Sequence, residues 1–137
     1  MGEPTMTADC RAGHAIRVRA TRLAEAAVAD QYRAQPDLAD RYGRDGRRYC
    51  VRDVAHHVQF LAASVELGDA GRFTDYVAWA RGVLAAHNIP ASDFLVSLQS
   101  LRSVVLTHLP PPAADAACRH IDAALAAWPA FTNGTES

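Results

Sequence analysis

Hydrophobic positions along this chain recur at helical spacing over most of its length, and no alternating stretch is long enough to predict a strand. The first periodic segment predicts a long helix over about 7–34, with Ile16, Leu23, Ala27 and Tyr32 set among arginines. Pro36 ends it, because its ring cannot continue a helix and disfavours helical backbone at Gln35. Residues 37–46 read as a polar connector broken by Gly43 and Gly46. A second helix follows over about 47–67, its buried stripe formed by Val54, Val58, Leu61 and Val65. Gly68 suits its C-cap and Asp69 the N-cap of the next. The third helix covers about 70–87, with Phe73, Val77, Ala80 and Leu84 inward, and stops at Asn88 and Pro90. Ser92 is the expected cap of a fourth over about 91–108, with Phe94, Leu98, Leu101 and Val105 inward. After three prolines, of which Pro112 suits a first helical turn, a fifth runs to about 127 and carries Ala117, Ile121, Ala124, Leu125 and Trp128. Residues 1–7 and 132–137 read as loose tails.

Composition narrows this to one all-α domain over residues 1–137, globin-like or bundle-like, with about five to seven helices. The chain is 50% hydrophobic but only 7% aromatic, so alanine supplies much of the apolar count and favours helix over strand. A formal net charge of -1 offers no bulk attraction to nucleic acid or a membrane surface. No apolar run reaches the roughly 18 residues of a membrane span, and the first residues lack the pattern of a secretory signal. Cys10, Cys50 and Cys118 are widely spaced, with no Cys-x-x-Cys pair, which fits a reducing cytoplasm. All fourteen cations are arginine, so no amine serves as a general base or Schiff-base former. Phosphate-loop, dinucleotide, zinc-protease and serine-elbow motifs are absent. His56 and His57 are adjacent, and their side chains point about 100° apart on a regular helix, so they cannot chelate one metal. These features point away from an enzyme and from a metal site.

The informative segment lies on the second predicted helix. Beside the Val54 stripe runs a mixed one: Tyr49, Asp53, His57, Phe60 and Ser64. A carboxylate, an imidazole and two aromatics in one row suit a wall for a flat, polar ligand. The plainer reading is a half-exposed boundary face.

Cys50-Val51-Arg52-Asp53 resembles the Cys-x-Arg-Asp motif on the chromophore-bearing helix of the phycobiliproteins. The similarity extends to Asp30-Gln31-Tyr32 with Pro36-Asp37 upstream. Downstream it takes in Gly68-Asp69, Ile89-Pro90-Ala91, Asp115-Ala116-Ala117 and residues 121–125, covering about 22–128 in all. The helical modules of some cobalamin-binding photosensor proteins are similar too. The resemblance implies a globin-like fold and a linear tetrapyrrole, a bilin of the biliverdin or phycocyanobilin kind. It implies that Cys50 tethers the pigment, that Asp53 accepts hydrogen bonds from its inner pyrrole N–H groups, and that Arg52 pairs with a propionate. Tyr49, His57 and Phe60 would then line the site, with Arg47 and Arg48 as further propionate contacts. Where the family has a tyrosine pair this chain has His56-His57, its N-terminal segment is short, and lysines give way to arginines such as Arg41 and Arg44. Those differences fit a standalone or sensory relative, with a signalling or cobalamin-binding partner protein. Two alternatives stay open: a globin-like module that has lost its chromophore, and a haem binder using His57, His87 or His120 as axial ligand. The amphipathic face of residues 15–28, with Ile16, Leu23, Ala27 and Val28, suggests a homodimer.

Overall fold

The computed structural model describes residues 6–131, and among them the chain forms seven helices and no strand. They are α1 (Ala8–Arg17), α2 (Ala20–Ala34), α3 (Leu38–Tyr42), α4 (Gly46–Glu66), α5 (Ala70–Ala86), α6 (Ala91–His108) and α7 (Pro111–Phe131). The expected tails at 1–5 and 132–137 lie outside the described residues, whereas Thr7 is the N-cap of α1, its hydroxyl accepting from Cys10 N at 3.0 Å.

α4 lies at the centre, packed against α1, α2, α5 and α7. Its stripe is buried as the periodicity predicts: Val58, Leu61 and Val65 are fully enclosed and Val54 nearly so. Burying each such side chain contributes about 1.5–3 kcal/mol. Phe73 and Val77 of α5, Phe94, Leu98, Leu101 and Val105 of α6, and Ala117, Ile121 and Ala124 of α7 complete the core, while Leu84, Leu125 and Trp128 pack half-buried at its edge. Asp69 caps α5 through Gly71 N at 3.1 Å, and Gly68 takes the left-handed φ of +63° that ends α4.

Four expectations need correction. The single N-terminal helix is two, divided at Val18 and Arg19, because α1 packs on α4 and α7 whereas α2 packs on α4 and α6, and no one straight rod reaches both. The polar connector contains α3, whose Leu38 is fully buried and pins five residues into helix. Ser92 does not cap α6; Pro90 occupies the N-cap position, with no side-chain capping bond. The face carrying Ile16, Leu23, Ala27 and Val28 is buried against the chain's own core, each residue 1% exposed or less. That face is therefore not available for pairing two copies.

α1 crosses α4 in backbone contact. A Cβ on Gly13 would fall 2.1 Å from Glu66 Cγ and 2.8 Å from the Ala62 carbonyl oxygen, so only glycine fits. Arg17 fastens the crossing, donating to Glu66 Oε1 at 2.5 Å and Gln59 Oε1 at 3.0 Å.

Candidate functional site

The rotation that buries the α4 stripe also turns Cys50, Asp53 and His57 toward the place where α4 meets α3, α5 and α6. There they border a small inner hollow of about 40 Å³, closed on the far side by Tyr42 and Asp93. Cys50 and Asp53 stand one turn apart on α4, as neighbours on one face. Burial pushes the Cys50 thiol above its ordinary range; the Asp53 and Asp93 charges act in the same direction and the Tyr32 hydroxyl opposes them. The Asp53 side chain is 31% exposed and pairs only loosely with Arg52, at 3.8 Å, so its oxygens can accept further donors.

His57 lies behind this pair. Its Nδ1 is 2.5 Å from the Tyr76 hydroxyl, and its ring packs 5.1 Å from that of Phe94. Burial, helped by the charge of His56, pushes the imidazole down to about 3. His57 is therefore neutral at physiological pH, and it cannot repel a cationic ligand.

The inner end of the hollow is held by a group the sequence pattern did not single out. Asp93, with a side chain 4% exposed, accepts from Arg41 Nη1 at 2.9 Å and Nη2 at 3.1 Å, from Gln35 Nε2 at 3.0 Å, and from the Tyr42 hydroxyl. Gln31 Nε2 donates to the Asp93 backbone carbonyl at 2.9 Å. Burial raises the Asp93 carboxyl, but the bonds from Arg41, Tyr42 and Gln35 outweigh it and leave it below the usual range. Burial, then the bond to Asp93 and the charge of that carboxylate, push the Tyr42 hydroxyl upward and keep it protonated, against the opposing charge of Arg41. The network clamps α3 onto α6 over the inner side of Cys50. A signal for it was present: Asp93 is in helical register with inward Leu101, two steps of four residues away, where an acid needs partners.

Tyr49 and Phe60 do not enter the inner hollow. Counting 100° per residue, both lie some 60–80° from His57 toward solvent, and they are 47% and 51% exposed. Tyr49 instead supports an outer shelf, with the guanidinium of Arg52 at 4.9 Å and that of Arg48 at 5.2 Å from its ring. Arg47 lies on the other side of α4, 5.2 Å from the Tyr32 ring. The three histidines suited to axial ligation lie apart. His57 bonds Tyr76, buried His120 lies 2.7 Å from Ser64 Oγ, and exposed His87 donates to the Val83 carbonyl at 2.9 Å. Among the described residues no three His, Cys, Asp or Glu side chains gather to hold a metal ion, and no helix is long and apolar enough to cross a membrane.

The donor set fits a linear tetrapyrrole: a thiol and an under-used carboxylate on one face, a neutral imidazole behind, and guanidinium groups at the rim. A family model described as phycobilisome protein matches residues 4–127 of the chain. No curated protein matches it.

Proposed function

Because the chain belongs to the phycobilisome protein family, we propose that it is a non-enzymatic pigment protein that holds a bilin of the biliverdin or phycocyanobilin kind. The observation that carries this reading is the placement of Cys50 and Asp53 one turn apart at the same hollow, with buried His57 behind them. When bound, a bilin supplies absorption of visible light through its conjugated chain. The protein's own residues bind and orient. Cys50 supplies the tethering sulfur. Asp53 accepts the ligand's N–H donors and favours its positively charged form. Arg52 and Arg48 on the outer shelf, with Arg47, offer planar forks to carboxylates.

A sensory role with a signalling or cobalamin-binding partner, and pairing of two copies, complete the reading. Pairing uses a surface other than the buried Ile16 face. Sedimentation across a wide dilution series tests it, and a monomer at every concentration refutes it.

The principal experiment is co-expression with a bilin-producing system, followed by a denaturing gel stained with zinc. Wild type fluoresces and Cys50→Ser does not. Fluorescence that persists in Cys50→Ser moves the tether to another residue. No fluorescence and no visible absorption in wild type favour the alternative of a module without pigment, which the small size of the inner hollow, about 40 Å³, would suit.

A further inference from the structure

Past Asp53 and His57, the seam between α4 and α5 stays open. A hollow of about 140 Å³ shares those two residues with the inner one and is walled across the seam by Tyr76 and Trp79. Tyr76 and Trp79 in turn border a groove of about 540 Å³ that reaches Phe60 on α4 and Arg72 and Asp75 on α5. Each hollow shares walls with the next, so the three follow one another as a stepped trench along the seam. The largest of them lies within the roughly 300–1,000 Å³ of small-molecule sites.

The outer part of this trench is lined by aromatic rings. Phe60 stacks on Tyr76 across the seam, centroids 4.1 Å apart and planes 13° from parallel. Trp79 follows, 6.0 Å from Tyr76 and tilted by 43°. Phe60 is 51% exposed and Trp79 63%, so two large rings, each in contact with Tyr76, face water. Beside them Arg72 offers N–H donors and Asp75, one turn on, offers an acceptor; the tie from Arg72 to Asp69 is loose, at 3.6 Å.

We propose that this trench is the distal half of the ligand site, in which Trp79 and Phe60 hold the far end of an extended tetrapyrrole tethered at Cys50 while Arg72 and Asp75 meet its terminal lactam. The inference rests on the tetrapyrrole reading above and adds to it the residues that select ligand shape. From Cys50 to Phe60 the α4 axis rises about 15 Å, a span suited to an extended chain of four pyrrole rings. A terminal lactam presents one carbonyl acceptor and one N–H donor side by side, the complement of the Arg72–Asp75 pair. A closed macrocycle has no such edge and is as broad as it is long, which a narrow seam between two helices does not accommodate.

The test uses ligand-free protein titrated with biliverdin, and with iron protoporphyrin as the compact comparison. The chain has two tryptophans, so the indole N–H resonance of Trp79 is identified by its loss in Trp79→Phe. On addition of biliverdin this resonance shifts and that of Trp128 holds its place. Trp79→Ala weakens biliverdin binding about tenfold or more, the scale of losing one aromatic stack, and leaves thermal stability unchanged because the ring faces solvent. Arg72→Gln weakens it less. Suppose instead that wild type binds biliverdin and forms the Cys50 adduct, yet Trp79→Ala binds equally tightly and the Trp79 resonance does not move. The distal site is then refuted and the tetrapyrrole reading stands. Tighter binding of iron protoporphyrin than of biliverdin, or no binding of biliverdin by wild type, overturns both.

Discussion

Replacing Asp93 with asparagine removes one charge from a buried site that four donor contacts from three side chains surround. Arg41 contributes two N–H donors at 2.9 and 3.1 Å, Gln35 one at 3.0 Å, and Tyr42 its hydroxyl. A hydrogen bond to a charged group contributes about 1.5–3 kcal/mol, and breaking a fully buried ion pair costs about 3–5 kcal/mol. The Arg41 side chain is 38% exposed, so water recovers part of its loss. The neutral amide of asparagine still accepts, but its NH2 faces donors. The net cost is about 2–3 kcal/mol, which for a chain of 137 residues lowers Tm by roughly 6–12 °C. Urea and thermal unfolding at neutral pH measure it. The pH dependence provides an independent check. The Asp93 carboxyl titrates lower folded than unfolded, so its contribution is fully present above the unfolded value of about 3.9 and is lost as pH falls through the lower folded value. The gap between wild type and Asp93→Asn is therefore constant near neutrality and closes below about pH 4. A Tm change under about 2 °C at neutral pH, or a gap that persists in strong acid, refutes the assigned role of this network.

Three further outcomes follow from the geometry. Asp53→Asn in pigment-loaded protein shifts the main absorption band to the blue and broadens it while much of the binding survives, because the acceptor that favours the protonated pigment is lost; an unchanged spectrum removes Asp53 from the pigment. Gly13→Ala costs about 1–3 kcal/mol in unfolding experiments, since its Cβ would meet the α4 backbone at the Ala62 carbonyl 2.8 Å away; full stability would show that the α1–α4 crossing can relax. The pH profile of Cys50 alkylation by iodoacetamide in the ligand-free chain has its midpoint above the roughly 8.5 of an ordinary thiol, because burial raises its thiol; a midpoint at or below about 8.5 refutes that environment.

The core stripes were legible because single apolar rows at helical spacing have one way to be buried: Val54, Val58, Leu61 and Val65 lie inward, as do Phe94, Leu98, Leu101 and Val105. The break at Val18 and Arg19 was not, since neither glycine nor proline marks it and the periodicity runs on; the bend is imposed by which helices α1 and α2 pack against. α3 was hidden for the opposite reason. Five residues carry no period, and a single leucine, Leu38, holds them. On α4 the residue types of the mixed row were readable, but not how far it winds: a row stepping by four drifts about 40° per step, which parts Tyr49 from His57. Asp93 escaped because an acid in the first turn of a helix normally answers the helix dipole from solvent, and its true partners lie some fifty residues earlier in the chain.

The inner hollow has two acids on its border, and they are electrically unlike. Asp93 is saturated by the donors around it, whereas Asp53 has one loose partner at 3.8 Å. Negative potential in this enclosure therefore gathers at its α4 wall and fades toward α3 and α6. The enclosure has a polarity, like a socket with one live contact. On the proposed reading, a guest that carries its positive charge at one point along its length would be turned by that field before any covalent bond exists, so that electrostatics would tell head from tail before the sulfur of Cys50 is reached.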